Sequence, residues 1–318
     1  MDPLPRVLHV DTSTEWRGGQ VQLLALARGM AERGWPVAVG CPRGSPLWQA
    51  LDGVERLDLP AGRSPLGTLR LARASADLLA AHTSHAHTLC LPLSRPLVVH
   101  RRVDFLPGGG FKYRRPEAYV CVSQAVASIV AQAGGRGCVV VPDGVDALPP
   151  QAPAPDGPTV LAVGARVAHK GHRFLAEAAA LLPGVDIGVA GDGPLVYPGL
   201  RWLGPRGDVA ALHAAARVFV HPSVEEGMGQ AVIEAMLSGL PVVCTDAGGL
   251  PEVVGDTAIV VAKGDATALA EGIRRALRGE HPPIEAARRR ALERFSVRAM
   301  VEGSMRVYAQ VAAASKRV

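Results

Sequence analysis

The feature that most constrains the fold is an alternation of short apolar runs with longer segments of helical period. In the first half of the chain the apolar runs predict buried strands at 7–10, 37–39, 98–99, 118–122 and 139–141. The helical periods predict helices near 20–33, 66–81 and 124–133. Strands that alternate with helices in this way are typical of βα units around a parallel sheet.

A proline-rich segment interrupts the alternation, with six prolines between positions 142 and 158. Proline lacks an N–H group and fixes φ, so this segment predicts a stiff linker rather than a helix or central strand. The pattern then restarts, with strands expected at 160–163, 187–190, 218–220 and 242–244 and helices at 173–182 and 230–238. The sequence therefore predicts an α/β protein with two doubly wound domains, residues 1–148 and 149–302, and a site in the cleft between them.

The formal net charge is +5, and the excess is concentrated near the end of the chain. Positions 284–318 hold eight Lys or Arg against three Glu. A basic segment of this kind binds an anionic membrane surface or is a solvated helix face, and we favour the solvated face. Aromatic residues do not alternate with the basic ones, so we expect no nucleic-acid partner.

Cysteine usage and hydropathy indicate a reducing compartment. The five cysteines are scattered and form no C-x-x-C pair, so we expect buried, reduced thiols. The first residues carry an acid and two prolines where a secretory signal has a basic start. No run approaches the roughly 20 apolar residues of a membrane span. We expect a cytoplasmic protein that associates at most peripherally with the inner face of a membrane.

The most informative segment runs from 219 to 254 and predicts a strand, a glycine turn and a helix. Gly227 and Gly229 precede the helix, whose unpaired N–H groups favour phosphate. Glu226 and Glu234 have seven residues between them, and their carboxylates can accept hydrogen bonds from sugar hydroxyls. A glutamate favoured by the helix dipole is the alternative for either residue alone.

This segment resembles the E-x7-E region of retaining glycosyltransferases of family 4 (glycosyl transferases group 1). Their usual pattern is E-G-F-G-x4-E, followed by G-x-P and G-G-x-x-E. Here it reads Glu226, Gly227, Met228, Gly229 and Glu234, with Gln230 opening the helix, then GLP at 239–241 and GGLPE at 248–252. Met228 replaces the common Phe. The resemblance implies a GT-B fold, with two Rossmann-like domains facing across a cleft, and assigns 1–148 to the acceptor and 149–302 to the nucleotide sugar.

A second stretch, VLAVGARVAHKG, resembles the family's strand-turn V-G-R-x-x-x-x-K-G. By that correspondence Arg166 and Lys170 bind the donor pyrophosphate. Two cations at a developing anion stabilise the leaving group without a metal. The chain has no D-x-D, the metal handle of the other major transferase fold, and no phosphate-loop or G-x-G-x-x-G motif. We therefore expect no metal and no cofactor besides the nucleotide-sugar substrate.

The first half resembles the family more loosely. Gly18 and Gly19 match a Gly-Gly loop at the donor phosphates, although they are equally compatible with a simple tight turn. Many members carry a reaction-centre histidine at the position that Arg102 occupies here. His100 lies two residues earlier, on the same face of the predicted strand. We assign no catalytic histidine, and propose that Arg102 neutralises a phosphate or an anionic acceptor.

Two further features concern a histidine cluster and the end of the chain. His85 and His87, with His82 nearby, suggest a metal site, but in the family a related H-x-H lies on a strand of the acceptor-side domain and binds no metal. Residues 286–314 have one continuous helical period, with apolar positions that include Leu292 and Phe295. In GT-B enzymes the terminal helix often crosses back, so we expect 303–318 to rejoin the first domain.

The predicted function is transfer of a sugar, with retention at the anomeric carbon, from a nucleotide diphosphate sugar to a lipid-linked, polysaccharide or small-molecule acceptor in cell-envelope synthesis. Glu226 is expected to hold hydroxyls of the transferred sugar and, with Arg166 and Lys170, to form the catalytic set, while Glu234 holds the ribose. Two alternatives remain open. One is a sugar-nucleotide epimerase of the same fold, and the other is a non-catalytic nucleotide-sugar-binding partner in an envelope assembly complex.

Overall fold

The computed structural model describes residues 4–105 and 110–315. Parts of the predictions for the first residues, for the stretch after Phe105 and for the basic tail lie outside the described residues. The chain divides into two compact units: unit 1 is Met1–Gly144 with Val297–Val318, and unit 2 is Val145–Ser296. The two points at which the chain passes from one unit to the other lie a few residues before the predicted boundaries at 148 and about 303.

Within the described residues, unit 1 is built on a parallel sheet with the order β3-β2-β1-β4-β5-β6-β7. Its strands are β1 (Val7–Val10), β2 (Val37–Cys41), β3 (Glu55–Asp58), β4 (Leu78–Ala81), β5 (Leu97–Arg101), β6 (Ala118–Cys121) and β7 (Cys138–Val140). Its helices are α1 (Gly18–Glu32), α2 (Pro46–Ala50), α3 (Pro65–Arg73), α4 (Ser84–Cys90), α5 (Phe111–Arg114), α6 (Gln124–Gln132) and the last helix of the chain, α13 (Val297–Ser315).

Unit 2 has a second parallel sheet, with the order β10-β9-β8-β11-β12-β13. Its strands are β8 (Val160–Val163), β9 (Ile187–Ala190), β10 (Arg201–Gly204), β11 (Val218–His221), β12 (Val242–Thr245) and β13 (Ile259–Val261). Its helices are α7 (His172–Ala180), α8 (Val209–Ala215), α9 (Gln230–Leu237), α10 (Leu250–Val254), α11 (Ala266–Leu277) and α12 (Ile284–Arg294), with a 3-10 turn at Ala168–Lys170.

Central strands of both sheets are buried along their whole length, since helices cover both faces of a parallel sheet. The predicted helix at 66–81 was wrong in its second half: α3 ends at Arg73, and residues Leu78–Ala81 form β4. This strand pairs with both β1 and β5 and is fully buried. A run of Leu and Ala suits a helix by propensity, but burial between two strands decides its conformation.

The proline-rich segment forms no helix or strand, as predicted, but much of it packs against unit 2. Ala154 N donates a hydrogen bond to Ala211 O at 3.0 Å. A Cβ at Gly157 would lie only 2.2 Å from Cβ of Ala215, so the backbone passes close to α8 there. The segment is therefore anchored on one unit rather than a free spacer.

The predicted single helix over 286–314 is two helices, α12 and α13, separated at Phe295. Leu292, one of the apolar positions of this period, is 53% exposed, whereas Phe295 is buried. Helix α13 packs on α1 so closely that a Cβ at Gly29 would lie 2.6 Å from Val301 Cγ2. The core of unit 1 therefore includes the last helix from its first turn.

The five cysteines are free thiols, four of them buried and Cys138 half-buried. Among the described helices none is long and apolar enough to cross a membrane.

Met300 and Leu292 provide a matched test of this packing. Met300 is 3% exposed in the core of unit 1, so Met300→Ala should cost about 2–5 kcal/mol of unfolding free energy by leaving a cavity. Leu292→Ala removes an exposed side chain and should change it by less than about 0.5 kcal/mol. Denaturant titration of each variant measures the two effects. If both variants lost the same unfolding free energy, the division of residues 286–314 into two helices would be contradicted.

Candidate functional site

In unit 2 the candidate site lies where β8 and β11 are neighbours, because the strand order reverses between them. Open parallel sheets bind ligands at this point, outside the carboxyl ends of the strands. The segment after β8 carries Arg166 and Lys170, and the segment after β11 carries Glu226 and the glycines before α9. The two sequence motifs thus meet at one edge of one sheet.

Gly171 holds the two segments together. Its φ is 67°, and a Cβ there would lie 1.9 Å from the carbonyl oxygen of Pro222. Val224 N also donates a hydrogen bond to His169 O at 2.8 Å. Only glycine combines the left-handed conformation with so close a backbone approach. Gly171, which follows Lys170, therefore determines how closely Lys170 approaches the segment that carries Glu226.

Lys170 and Glu226 form an ion pair, with 2.6 Å between Nζ and Oε2. The same oxygen lies 2.7 Å from His221 Nε2 and 3.3 Å from Ser223 Oγ. The side chains of Lys170 and Glu226 are 21% and 12% exposed, so the pair is shielded but reachable. Within 4–105 and 110–315 no hydrogen bond reaches the second oxygen, Oε1, and that oxygen remains available to a ligand.

Electrostatics keep Glu226 ionised. Burial acts to raise the pKa of its carboxyl, but the hydrogen bond from His221 and the charge of Lys170 outweigh it and hold the pKa far below the ordinary value. Burial lowers the pKa of His221, so its imidazole is neutral and donates through Nε2. Lys170 therefore supplies the positive charge that matches the carboxylate.

Glu234 lies in the second turn of α9, after a start that glycine permits. Gly229 caps the helix with φ of 89°, and a Cβ there would lie 2.6 Å from Leu250 Cδ2. Met228 is buried, as expected of an apolar plug. Burial raises the pKa of Glu234, and among the residues described its carboxylate has no hydrogen bond or ion pair.

Arg166 lies apart from the ion pair. Its guanidinium carbon is 5.6 Å from the centre of the Trp202 ring, and its buried Nε has no hydrogen-bond partner in the part of the chain that the structure describes. In the family motif the arginine follows the glycine directly, whereas Ala165 separates Gly164 from Arg166 here. Burial and the charges of Lys170 and Arg166 lower the pKa of His172 to about 4, so both cations lie near this histidine.

Unit 1 has its own reversal of strand order, between β1 and β4. Three histidines meet there: His9 Nδ1 lies 2.9 Å from His82 Nε2, and the rings of His82 and His100 stack at 4.3 Å. Burial lowers the pKa of His9 to about 3, and burial also lowers the pKa values of His82 and His100. All three imidazoles are therefore neutral near pH 7.

Arg102 fixes the hydrogen-bond direction in this cluster. Its Nε donates to Asp143 at 2.9 and 3.1 Å, and its Nη1 donates to His82 Nδ1 at 3.2 Å. Because arginine only donates, His82 must carry its proton on Nε2 and donate to His9. His100 Nε2 lies 2.6 Å from the hydroxyl of Tyr308 on α13. His100, near the end of β5, and Arg102, just after it, thus both contact His82.

The remaining predicted residues of unit 1 are at helix starts. Gly18 and Gly19 open α1, and a Cβ at Gly19 would meet nothing within 4 Å, so space lies in front of it. His85 and His87 lie on α4, not on a strand as in the family pattern; His85 is exposed and His87 is buried. In the described part of the chain no three His, Cys, Asp or Glu side chains are grouped to hold a metal ion.

Two cavities adjoin these residues in unit 1. One, of about 240 Å³, is lined by His82, His87, His100, Arg101 and Arg102 among others. The second, of about 450 Å³, is lined by Thr12, Ser13, Thr14, Glu15 and His85 among others, and both share Thr83 and Ser84. The first cavity is rich in cationic and imidazole groups and the second in hydroxyl groups.

Comparison with known proteins places the chain in a family. The sequence pattern of the glycosyl transferases group 1 family matches residues 157–279. The lipopolysaccharide core biosynthesis glycosyltransferase LpsE of Rhizobium meliloti is 30% identical over 236 residues, which cover 66% of this chain and 68% of LpsE. The chain belongs to the glycosyl transferases group 1 family. This membership confirms the predicted glycosyltransferase class at the level of the family.

Other relatives match over shorter stretches. O-antigen chain mannosyltransferase B of Escherichia coli is 45% identical over 83 residues, 26% of this chain, and the match spans only 22% of that enzyme. Among solved structures, Anabaena Alr3699/HepE in complex with UDP superposes with a TM-score of 0.80 at 22% identity, over 96% of this chain and 100% of HepE. The structural neighbours are GT-B glycosyltransferases, and the predicted α/β class with two Rossmann-like sheets is confirmed.

Sequence reasoning missed several residues of both clusters. His221 and Ser223 contact Glu226, and their signal was the polar H-P-S that ends an apolar strand. In unit 1 it missed His9, Asp143 and Tyr308. Asp143 and Tyr308 are 41 and 208 positions from their partners, Arg102 and His100, so no local pattern reveals these contacts.

The ion pair predicts how stability depends on pH. Because folding depresses the pKa of Glu226, the carboxylate stabilises the protein above its unfolded pKa and loses this effect as pH falls from about 5. Glu226→Gln should cost about 1.5–3 kcal/mol at pH 7, and the cost should shrink towards pH 3. Unfolding free energies of both proteins across this range test it.

The exposed neighbour Glu225 supplies the control. Glu225→Gln should change the unfolding free energy by less than about 0.5 kcal/mol at every pH. A Glu226→Gln difference that is constant with pH would contradict the assigned charge pairing.

Proposed function

We propose that the protein is a retaining glycosyltransferase of family 4 that transfers a sugar from a nucleotide diphosphate sugar. The observation that carries this proposal is the Lys170–Glu226 pair at the strand-order reversal of unit 2, with Glu226 Oε1 left open. At this point a cation suited to a diphosphate lies next to a carboxylate suited to sugar hydroxyls. Membership of the glycosyl transferases group 1 family gives that pair its chemical context.

Unit 2 is the proposed donor-binding unit. An ammonium group has three hydrogens, and only one of those on Lys170 is engaged with Glu226, so two can reach phosphate oxygens. The N–H groups at the start of α9 add donors for the same phosphates. The unpartnered carboxylate of Glu234 accepts the ribose hydroxyls. Structures of Alr3699/HepE with UDP and with UDP-glucose support a nucleotide-sugar donor.

In the proposed reaction, the bond between the anomeric carbon and the diphosphate oxygen breaks as the acceptor hydroxyl attacks the same face. The leaving phosphate oxygen takes the hydroxyl proton, so the products are the glycoside and the nucleoside diphosphate. Lys170 stabilises the charge that grows on the leaving oxygen, and we propose that this removes the need for a metal. Glu226 Oε1 holds a sugar hydroxyl and orients the ring.

Arg166 has a more distant role in this proposal than the sequence motif implied. Its guanidinium lies over Trp202, and its charge still acts on His172 beside the ion pair. It therefore contributes to the positive field at the diphosphate rather than a fixed contact.

Unit 1 is the proposed acceptor-binding unit, with Gly18 and Gly19 at the start of α1 and open space in front of Gly19. Relatives include an O-antigen chain mannosyltransferase and a lipopolysaccharide core glycosyltransferase. We infer an acceptor that is lipid-linked or part of a surface polysaccharide, and a place of action at the inner face of the cell membrane.

The experiment that tests this function is a thermal-shift panel of UDP, GDP, ADP and TDP sugars, followed by transfer assays with the sugar that stabilises the protein. Binding at 100 times Kd should add about 2.7 kcal/mol to stability. Lys170→Met and Glu226→Gln should each lower kcat about 100- to 1,000-fold. Glu234→Gln should weaken donor affinity at least about tenfold.

Glu225→Gln is the matched control, since it removes an exposed charge beside Glu226 and should leave kcat and donor affinity within about twofold. The anomeric configuration of the product, read by NMR, tests retention. If no sugar nucleotide stabilises the protein, the proposed donor class is refuted. If the product has the inverted configuration, the proposed retention is refuted.

Arg102 is proposed to act through His82, which it orients, since Asp143 already matches its charge. Arg102→Ala in an Asp143→Asn background removes both charges and avoids a buried, unpaired carboxylate. Turnover should fall at least about tenfold, whereas Asp143→Asn alone keeps the bond from Arg102 to His82 and should stay within about threefold. Unchanged turnover of the double variant would end the assignment.

A further inference from the structure

The smaller cavity of unit 1, of about 240 Å³, has a buried arginine in its wall. Arg101 ends β5 and is only 8% exposed. Its Nη2 donates to the carbonyl oxygen of Phe105 at 2.7 Å, and its guanidinium lies over the Phe105 ring. Among the residues that the structure describes, its buried Nε has no hydrogen-bond partner. No carboxylate lies within 4 Å of this guanidinium in the described ranges.

A second cation, Lys112, lies beside the same cavity and forms no ion pair with any described residue. Lys112 Nζ donates to Ser84 O at 2.8 Å, Ser84 Oγ at 3.1 Å and Thr88 Oγ1 at 3.0 Å. All three acceptors are neutral, so the ammonium charge is held in place but not neutralised. Burial and the charges of Arg63 and Arg101 lower the pKa of Lys112, which shows how close these cations are to one another.

Acidic groups near the cavity do not balance this charge. Asp143 is engaged by Arg102, and Asp104 acts on Arg101 only from beyond ion-pair distance. The buried His87 in the same wall has an unpartnered Nε2, and burial lowers its pKa to about 3, so it adds a polar atom but no charge. A buried cation without a partner is costly unless a ligand supplies the anion.

The size of the cavity limits what it can hold. Pockets that enclose whole ligands are usually about 300–1,000 Å³, so a space of about 240 Å³ suits one group of a larger molecule. The adjoining cavity of about 450 Å³, which shares Thr83 and Ser84, is lined mainly by hydroxyl side chains together with Glu15 and His85, groups suited to sugar or polyol hydroxyls.

We propose that this cavity binds an oxyanion of the acceptor, through the Nε–H of Arg101 and the positive field of Lys112. The oxyanion is the chemistry that phosphate and carboxylate groups share, and the rest of the acceptor occupies the hydroxyl-lined cavity. This inference rests on the proposal that unit 1 binds the acceptor. It moves the anion-binding role from Arg102, whose charge Asp143 matches, to its neighbour Arg101.

The test measures binding of inorganic phosphate and of acetate by calorimetry and thermal shift, on the full chain. All proteins carry Lys170→Met, so that phosphate at the proposed donor site does not contribute. Adding Arg101→Met should weaken phosphate binding about 10- to 100-fold, the range for a lost hydrogen bond to a charged group. Arg101→Lys should recover part of the affinity. Preference for phosphate or acetate identifies the class of oxyanion.

Arg28→Met is the matched control, because Arg28 also donates to a backbone carbonyl, that of Ala50 at 2.7 Å. It should leave phosphate affinity unchanged. If Arg101→Met does not fold, as judged by its melting transition without phosphate, Lys112→Met replaces it and should weaken phosphate binding at least about threefold. Equal phosphate affinity in the Arg101 or Lys112 variant and the Arg28 variant would overturn the proposal.

The donor proposal is judged by a separate readout. Affinity for the stabilising sugar nucleotide, measured with Lys170 intact, should be the same with and without Arg101→Met. If no protein in the set binds the donor, the proposed function is refuted, but the phosphate result still stands. If the protein binds the donor but its oxyanion binding does not depend on Arg101, only this inference is refuted.

Discussion

The approach of Gly171 to the carbonyl of Pro222 is the constraint on which the site of unit 2 depends. Two loops that follow different strands can present one ion pair only if their backbones touch, and a Cβ at this position would lie 1.9 Å from the carbonyl oxygen. The residue before this glycine is Lys170, and four residues after Pro222 comes Glu226. Because Gly171 has no side chain, Lys170 and Glu226, which belong to separate motifs, can lie 2.6 Å apart.

The pairing also explains how two glutamates of one motif acquire different properties. Oε2 of Glu226 receives hydrogen bonds from Lys170 and His221, so the carboxylate is ionised and oriented before any ligand arrives. Glu234 has no such partners, and burial raises its pKa. Binding a hydroxyl at Glu234 adds a hydrogen bond where none exists, whereas binding at Glu226 exploits a geometry already fixed.

The sequence predicted most of the strands that are buried on both faces, and the main motifs, because both rest on local patterns. It missed the edge strands β3, β10 and β13, of which β3 reads ERLD without apolar alternation. It also missed the buried β4, whose Leu-Ala run suits a helix equally well. The family resemblance implies one role for Arg166 and Lys170, yet Ala165 stands where the motif has its arginine, and Arg166, one position later, lies over Trp202. The contact of His100 with Tyr308 spans 208 positions, and only the packing of α13 on unit 1 creates it.

Charge is distributed differently in the two clusters, and this difference bears on what each can bind. In unit 2 the buried carboxylate is matched by Lys170, so the pair tolerates burial without a ligand. In unit 1 the histidines are neutral, and their hydrogen bonds run in one direction from Arg102 through His82 to His9, whose Nε2 has no partner. Such a cluster orients groups rather than supplying charge. In the described ranges Arg101 and Lys112 form no ion pair, and this is the charge for which we propose an anionic ligand.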